Sequence, residues 1–126
     1  TTLAGWEEGA AASQRLARPG EFVAGIGRKY RIASELAFYS GREIHSENIL
    51  GRDALAYDDW SDPRALAGRD ALLVYDDPVK LKWDQEAGTL ARHFDSVEEL
   101  ERLTVKRRGV EIRTYVFLRG RGYRAP

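Results

Sequence analysis

EFVAGIGRKYRIASELAFY, residues 21–39, is the stretch from which the fold is predicted. Its apolar segment Phe22–Ala24 predicts a buried strand. Gly25 and Gly27 suit a tight turn after that strand, because glycine tolerates positive φ and close backbone approach. From Arg28 to Ser40, apolar residues recur every three or four positions and predict an amphipathic helix. The stretch therefore predicts a strand–turn–helix unit, for which the rest of the chain supplies neighbours.

Further strands and helices are predicted on both sides of this unit. In chain order the predicted elements are a helix over Leu3–Ala17, a strand over Glu21–Ala24, the helix over Arg28–Ser40, a short strand over Glu43–Glu47, a helical turn begun by Asp62 and Pro63, a strand over Asp70–Asp77, a helix capped by Asp77 with apolar residues Val79, Trp83, Ala87, Leu90 and Phe94, and a hairpin of Leu100–Lys106 and Val110–Arg119. Alternating strands and helices favour a parallel sheet. We therefore expect residues 1–126 to form a single α/β domain: a small, three-layer, Rossmann-like fold whose sheet is mainly parallel, with a C-terminal antiparallel hairpin.

Composition excludes several classes of protein. The 126 residues include 20 acidic and 20 basic side chains and no cysteine. A balanced charge argues against a nucleic-acid partner, and the lack of thiols excludes disulfides and thiolate metal sites. No apolar run is long enough to cross a bilayer. Because methionine is absent even at position 1, we expect a domain excised from a larger protein.

The charges are distributed unevenly along the chain. Residues Asp53–Asp77 are mostly acidic, whereas Arg102–Arg124 are mostly basic. The basic segment permits a local contact with an anion or a lipid headgroup. The alternative is a hairpin whose charged faces are simply solvated.

The glycine turn allows a second type of site. Gly25 and Gly27 match part of the dinucleotide fingerprint, but Tyr30 stands where that motif needs its third glycine. A helix N-terminus beside Arg28 and Lys29 could still hold a phosphate or carboxylate. The alternative function is thus a free-standing α/β module that binds a small anion or nucleotide at Gly25–Lys29.

Histidines and carboxylates give weaker signals. His45 and His93 lie in separate predicted elements without the spacing of metal ligands, so no metal site is predicted. Asp58 and Asp76 lie at or near predicted carboxyl ends of strands, where open α/β sheets bind ligands. A small enzyme using these two carboxylates is therefore a further hypothesis.

Aromatic residues near carboxylates and amides suit a sugar ligand, because rings stack on C–H faces while polar groups bond to hydroxyls. Tyr30, Tyr39, Tyr57 and Trp60 have this setting in the sequence. The alternative is that Tyr39 and Trp60 belong to the core.

Several blocks resemble the C-terminal soluble region of bacterial family 39 glycosyltransferases, membrane proteins often labelled dolichyl-phosphate-mannose-protein mannosyltransferase-like. The blocks are Gly5-Trp6-x-Glu8, Gly27-x-x-Tyr30-x-x-Ala33-Ser34-x-Leu36-Ala37-Phe38-Tyr39, Asn48 and Gly51, Tyr57-Asp58-x-Trp60, and the closing strand Val110–Tyr123. The resemblance covers nearly the whole chain. The segment 53–56, Asp-Ala-Leu-Ala, departs from the more polar residues of the family.

The resemblance implies a parent protein with many membrane spans that uses a polyprenyl-phosphate-linked sugar. Residues 1–17 would link this domain to the last span and place it on the extracytoplasmic face (periplasmic or outer) of the bacterial cytoplasmic membrane. Catalytic acids would lie in the membrane part, so this domain would not catalyse alone and would need no cofactor. Its partners would be the membrane-embedded part of the same polypeptide and a lipid-phosphate sugar or acceptor. The candidate ligand-binding residues are Arg28, Tyr30, Asn48, Tyr57, Asp58 and Trp60.

Overall fold

The computed structural model describes residues 5–26, 31–52, 61–76 and 82–126. Within these residues the chain forms an α/β fold with three α-helices, four β-strands and two short 3₁₀ helices. The elements are α1 (Trp6–Leu16), β1 (Phe22–Ile26), α2 (Arg31–Ser40), the first 3₁₀ helix (Glu47–Leu50), the second 3₁₀ helix (Pro63–Leu66), β2 (Ala71–Asp76), α3 (Trp83–His93), β3 (Ser96–Arg107) and β4 (Val110–Arg121). No helix in this part of the chain is long and apolar enough to cross a membrane.

The four strands form one mixed sheet in the order β1-β2-β4-β3. β1 pairs with β2 in parallel, with Val23 opposite Leu72. β4 pairs antiparallel with both β2 and β3. The expectation of a mainly parallel sheet is therefore wrong, whereas the predicted hairpin at one edge is confirmed. A tight hairpin can join only antiparallel strands, so β3 and β4 are antiparallel. β4 is also antiparallel to its other neighbour, β2.

The segment after α2 does not form the strand predicted over Glu43–Glu47. His45 makes a single parallel bridge to Ala24. Its N–H donates to the Val23 carbonyl at 2.7 Å, and its carbonyl accepts from Gly25 N–H at 2.9 Å. The chain then turns into the first 3₁₀ helix, so the pairing with β1 stops after one residue.

Helices cover both faces of the sheet. On one face, α1 and α2 pack on the strands through the apolar cluster Trp6, Ala10, Ala12, Val23, Ile32, Ala33, Leu36, Ile44, Leu72, Val74, Val105, Tyr115 and Phe117. On the other face, α3 and both 3₁₀ helices pack through Phe22, Ala24, Ile26, Ile49, Leu50, Leu66, Ala71, Leu73, Tyr75, Leu90, Phe94, Val116, Leu118 and Tyr123. Because β1 and β2 are buried on both sides, they read in the sequence as continuous apolar runs.

β1 extends past its predicted end at Ala24, because Gly25 and Ile26 belong to the strand and not to a turn. A Cβ at Gly25 would lie 2.8 Å from the Ala33 backbone nitrogen. Gly25 therefore lets α2 approach the strand closely, which is a packing role.

The C-terminal hairpin extends past the rest of the sheet. Its turn is at Arg108 and Gly109, which have φ angles of 54° and 78°. β4 pairs with β2 only as far as Tyr115, which is opposite Asp76. Beyond that point residues 110–114 pair with β3 alone. We call residues 104–114 the hairpin arm. In β3, the pairing with β4 shifts register between Glu99 and Glu101 and again between Val105 and Lys106.

Candidate functional site

One of the six predicted ligand-binding residues, Asn48, lies within the described part of the chain. Its side chain is buried, with 6% of the residue exposed. The other five predicted residues lie outside the described residues: Arg28, Tyr30, Tyr57, Asp58 and Trp60. Their proposed roles stay predictions.

A polar cleft of about 430 Å³ opens beside the start of β1. We call it the β1 cleft. Its lining comes from the start of β1, the segment after α2 and the second 3₁₀ helix: Glu21, Phe22, Arg42, Glu43, His45, Ser61, Asp62, Ala65, Leu66 and Arg69. The cleft exists because the chain after α2 pairs with β1 only at His45 and then turns away.

A row of polar side chains crosses the β1 cleft. His45 Nδ1 lies 2.6 Å from Ser61 Oγ, and its Nε2 lies 3.3 Å from Glu43 Oε1. His45 and Ser61 are buried, whereas the Glu43 side chain is 67% exposed. The row therefore runs from a solvated carboxylate to a buried hydroxyl. Sequence reasoning missed it because Ser61 is 16 residues away from His45 along the chain.

Asn48 holds one end of this row in place. Its Nδ2 donates to the Ser61 carbonyl at 3.2 Å, and its Oδ1 accepts from Ser46 N–H at 3.3 Å. Asn48 thus connects the first 3₁₀ helix to the residue that directly follows Trp60 in the sequence. Within the described residues, Asn48 therefore fixes the position of Ser61 in the lining of the cleft.

The environment of His45 favours its neutral form. Burial lowers the pKa of the imidazole below its usual value of 6.5, nearby Arg69 lowers it further, and Glu43 acts in the opposite direction. A neutral imidazole has one donor and one acceptor nitrogen. Because a carboxylate only accepts, the neutral ring directs Nε2–H towards Glu43, and its Nδ1 accepts from the Ser61 hydroxyl. The group of this row that can accept a hydrogen bond from a hydroxyl entering the cleft is the exposed Glu43 carboxylate.

The carboxyl ends of β1 and β2 carry a second polar cluster. Arg113 of β4 donates from Nη1 to Asp76 Oδ2 at 2.8 Å. Its guanidinium carbon lies 4.0 Å from the centre of the Trp6 ring, a cation–π geometry. The Asp76 side chain is fully buried, so this carboxylate is part of the packing. That setting does not favour the hypothesis of an enzyme based on Asp58 and Asp76, and Asp58 lies outside the described residues.

A third cluster ties the first 3₁₀ helix to α3. Arg52 donates to Glu47 at 2.8 Å and to both Glu86 oxygens at 2.7 and 3.1 Å, while Tyr75 Oη donates to Glu86 at 2.7 Å. Burial raises the pKa of Glu86, but the hydrogen bonds from Arg52 and Tyr75 outweigh it and hold that pKa below its ordinary value. The cluster is a structural anchor.

The other histidine also has structural contacts. His93 Nδ1 lies 2.8 Å from the Arg124 carbonyl, and its ring stacks against Tyr123 with centres 6.4 Å apart. Across residues 5–26, 31–52, 61–76 and 82–126, no group of three or more His, Cys, Asp or Glu side chains is arranged to hold a metal ion.

No protein-family model, curated protein or solved structure matches this chain. The resemblance to family 39 glycosyltransferases therefore stays a prediction from the sequence blocks. The anion or nucleotide site at Gly25–Lys29 also stays a prediction, since residues 27–29 lie outside the described part.

Proposed function

We propose that this chain is an accessory extracytoplasmic domain of a membrane glycosyltransferase. The parent enzyme transfers a sugar from a polyprenyl-phosphate donor, and the domain recognises acceptor or donor or acts as a scaffold. It does not catalyse alone and has no cofactor of its own. Its main partner is the membrane-embedded part of the same polypeptide, at the outer face of the bacterial cytoplasmic membrane.

The observation that carries this proposal is the way the hairpin holds the start of α1. Tyr115 Oη donates to the Gly5 carbonyl at 2.9 Å, and Arg113 stacks on Trp6. Arg107 forms an ion pair with Glu8. All the residues fixed in this way belong to the block Gly5-Trp6-x-Glu8, which in the resembling family leaves the last membrane span.

These contacts define which edge of the sheet would face a membrane. Tyr115 is opposite Asp76, the last residue of β2, so Gly5 lies at the edge where β1 and β2 end. A membrane span before residue 5 would hold this edge towards the bilayer. In the sequence, Arg28 and Tyr30 follow β1, whose last residue, Ile26, is opposite Tyr75 near this edge.

The β1 cleft opens beside the start of β1, away from the edge that would face the membrane, and is the ligand-recognition element of this proposal. Sugars are bound by polar groups placed around their hydroxyls, and His45, Ser61 and Glu43 all line this cleft. Ser61 follows Trp60, the last residue of the Tyr57-Asp58-x-Trp60 block. The cleft therefore lies next in sequence to the aromatic residues predicted to contact sugar.

The size of the native gene product tests the membrane part of the proposal. Mass spectrometry of the membrane fraction should identify this sequence within a much longer polypeptide that carries many apolar spans. A mature product of about 14.2 kDa in the soluble fraction would contradict the proposal.

Saturation-transfer NMR of the 126-residue chain tests recognition. We expect a signal from simple sugars or polyprenyl-phosphate headgroup analogues that disappears in Trp60→Ala and weakens in His45→Ala. His93→Ala is the matched control, because His93 contacts Arg124 and Tyr123, neither of which lines the β1 cleft. A sugar signal unaffected by Trp60→Ala and His45→Ala would remove the cleft from the proposal. Binding of nucleotides alone would favour the anion module at Gly25–Lys29.

A further inference from the structure

The turn of the hairpin arm concentrates positive charge. Lys106, Arg107 and Arg108 are consecutive and exposed, in a chain whose formal net charge is zero. Arg108 occupies the turn itself, with a positive φ of 54°. The turn therefore gathers three basic residues at the tip of the arm.

Two of these cations have no carboxylate partner within the described residues. Arg107 pairs with Glu8, which fixes the arm to α1. Glu111 is opposite Lys106 in the strand register, but the two side chains form no ion pair. Lys106 and Arg108 are thus available to an external anion.

An apolar side chain completes the tip. Val110, directly after the turn, is 65% exposed, whereas most large apolar side chains of the described residues are buried. Exposed apolar residues beside cations are typical of segments that insert into the headgroup region of a membrane. A site for a small soluble anion would not need an exposed valine.

The arm also points in the required direction. Residues 110–114 continue past the end of β2, about 16 Å for five residues at roughly 3.3 Å each. They extend from the edge at which Gly5 is held. The tip and the start of the described chain therefore lie on the same side of the domain.

We propose that the tip of the hairpin arm docks on anionic phospholipid headgroups, with Lys106 and Arg108 binding phosphate and Val110 inserting between headgroups. This inference rests on the proposed function, because attachment through residues 1–17 would bring the tip to the bilayer. The contact fixes the orientation of the domain relative to the membrane-embedded part. Each basic residue near an anionic surface strengthens partitioning about fivefold.

Vesicle co-sedimentation of the 126-residue chain tests the contact. Phosphatidylcholine vesicles with and without phosphatidylglycerol are compared at low and high salt. The variant Lys106→Gln/Arg108→Gln should lose about 25-fold in partitioning to the anionic vesicles, from two cations at about fivefold each. The matched control is Lys82→Gln/Arg92→Gln, which removes the same charge from exposed residues at α3.

A fluorescent label locates the contact. Because the chain contains no cysteine, Val110→Cys creates a single labelling position. An environment-sensitive dye there should shift to the blue on anionic vesicles, whereas the same dye at the exposed control position Ala91→Cys should not shift.

The possible outcomes separate the two proposals. Salt-sensitive binding to anionic vesicles that is lost only in the tip variant, with a blue shift only at position 110, supports the docking contact. No binding to anionic vesicles, equal loss in the control variant or an unchanged dye at position 110 overturns it. The size of the gene product and the sugar signal report the proposed function independently, because neither measurement involves the tip.

Discussion

The two ends of α1 are fixed to the sheet by two arginines of the same strand, in different ways. At its C-terminal end, Arg119 of β4 binds both oxygens of Glu21 at 2.5 and 3.1 Å and the Leu16 carbonyl at 2.8 Å. At its N-terminal end, Arg113 binds Asp76 and stacks on Trp6. Arg119 holds the C-terminal end through an ion pair and hydrogen bonds. Arg113 holds the N-terminal end through an ion pair and a cation–π contact.

The difference separates a deeply buried ion pair beside the β1 cleft from a partly exposed one at the other edge of the sheet. The side chains of Arg119 and Glu21 are each 4% exposed, so their ion pair is buried. Arg113 keeps 11% of its side chain exposed and lies at the edge that carries the hairpin arm. The predictions below test whether the first end supplies stability while the second orients the start of the chain.

The largest effect is expected for Arg119→Ala. Removing one partner of a buried ion pair leaves an uncompensated charge and costs about 3–5 kcal/mol. Urea unfolding followed by circular dichroism measures this loss. The control is Arg121→Ala, whose exposed pair with Glu98 contributes roughly 0–1 kcal/mol. Equal losses in the two variants would show that the Glu21–Arg119 pair is not sealed.

Arg113→Ala should lower the free energy of unfolding by about 3 kcal/mol. This is near the lower limit for breaking a buried ion pair, because the Arg113 side chain is partly exposed. Arg113→Lys retains the charge and should recover part of the loss. In Arg113→Ala, amide NMR signals at residues 5–8 should shift, because Arg113 packs on Trp6. Unchanged signals there, together with full stability, would contradict a role for Arg113 in holding the start of α1.

Alanine substitutions at two helical glycines, Gly9 and Gly88, should change the stability of the domain in opposite directions. A Cβ at Gly9 would overlap the Tyr115 ring, whereas a Cβ at Gly88 has nothing within 4 Å. Gly9→Ala should therefore destabilise the domain by about 1–3 kcal/mol through overpacking, less up to about 1 kcal/mol of helix propensity. Gly88→Ala should stabilise it by up to about 1 kcal/mol. Thermal unfolding of both variants gives the signs, and a stabilising Gly9→Ala would mean that the N-terminal end of α1 is loosely packed.

Stability should fall in acid because of Glu21. Burial raises the pKa of its carboxyl, but the hydrogen bonds and charges of Arg119 and Arg18 outweigh this and lower it below the usual 4.5. A lowered folded-state pKa gives stability that is complete above pH 4.5 and is lost as the pH falls through the folded-state value. Glu21→Gln should flatten this part of the pH–stability curve, and an unchanged curve would contradict the assignment.

The smallest effect concerns His45. Its pKa is lowered on folding, so the unfolded state binds a proton first as the pH falls through 6.5. The contribution of neutral His45 is therefore present above pH 6.5 and decreases below it. His45→Gln should remove this dependence, and NMR titration of the His45 imidazole should give a pKa below 6.5.

The sequence predicts the elements that are governed by local apolar pattern. The sequence predicts β1 and β2 because a strand buried on both faces has a continuous run of apolar residues. It predicts the hairpin because a strand buried on one face alternates between apolar and polar residues. Asp62 caps the second 3₁₀ helix as predicted, with its carboxylate accepting from Arg64 N–H at 3.0 Å. α3 begins at Trp83 with Lys82 as its N-cap residue, whereas the cap was predicted at Asp77, which lies outside the described residues.

Pairings across the sequence could not be predicted in the same way. The core stripe of α3 was expected to include Ala87, yet Ala87 is exposed and Glu86 is buried. Glu86 is stable there only because Arg52, 34 residues away, supplies its partner. The contact between His45 and Ser61 forms only when the chain folds around β1, so no local sequence pattern predicts it.

The outer strand β3 has a consequence for the behaviour of the domain in solution. Beyond β4 it has no further neighbour among the described residues, so its other edge offers unpaired backbone groups. Such edges can recruit strands from other molecules and begin aggregation. Here Glu98, Glu99, Glu101 and Arg102 line the strand, and two register shifts interrupt its regular geometry. Mixed charge and broken register therefore protect this edge against self-association, as natural sheets commonly require.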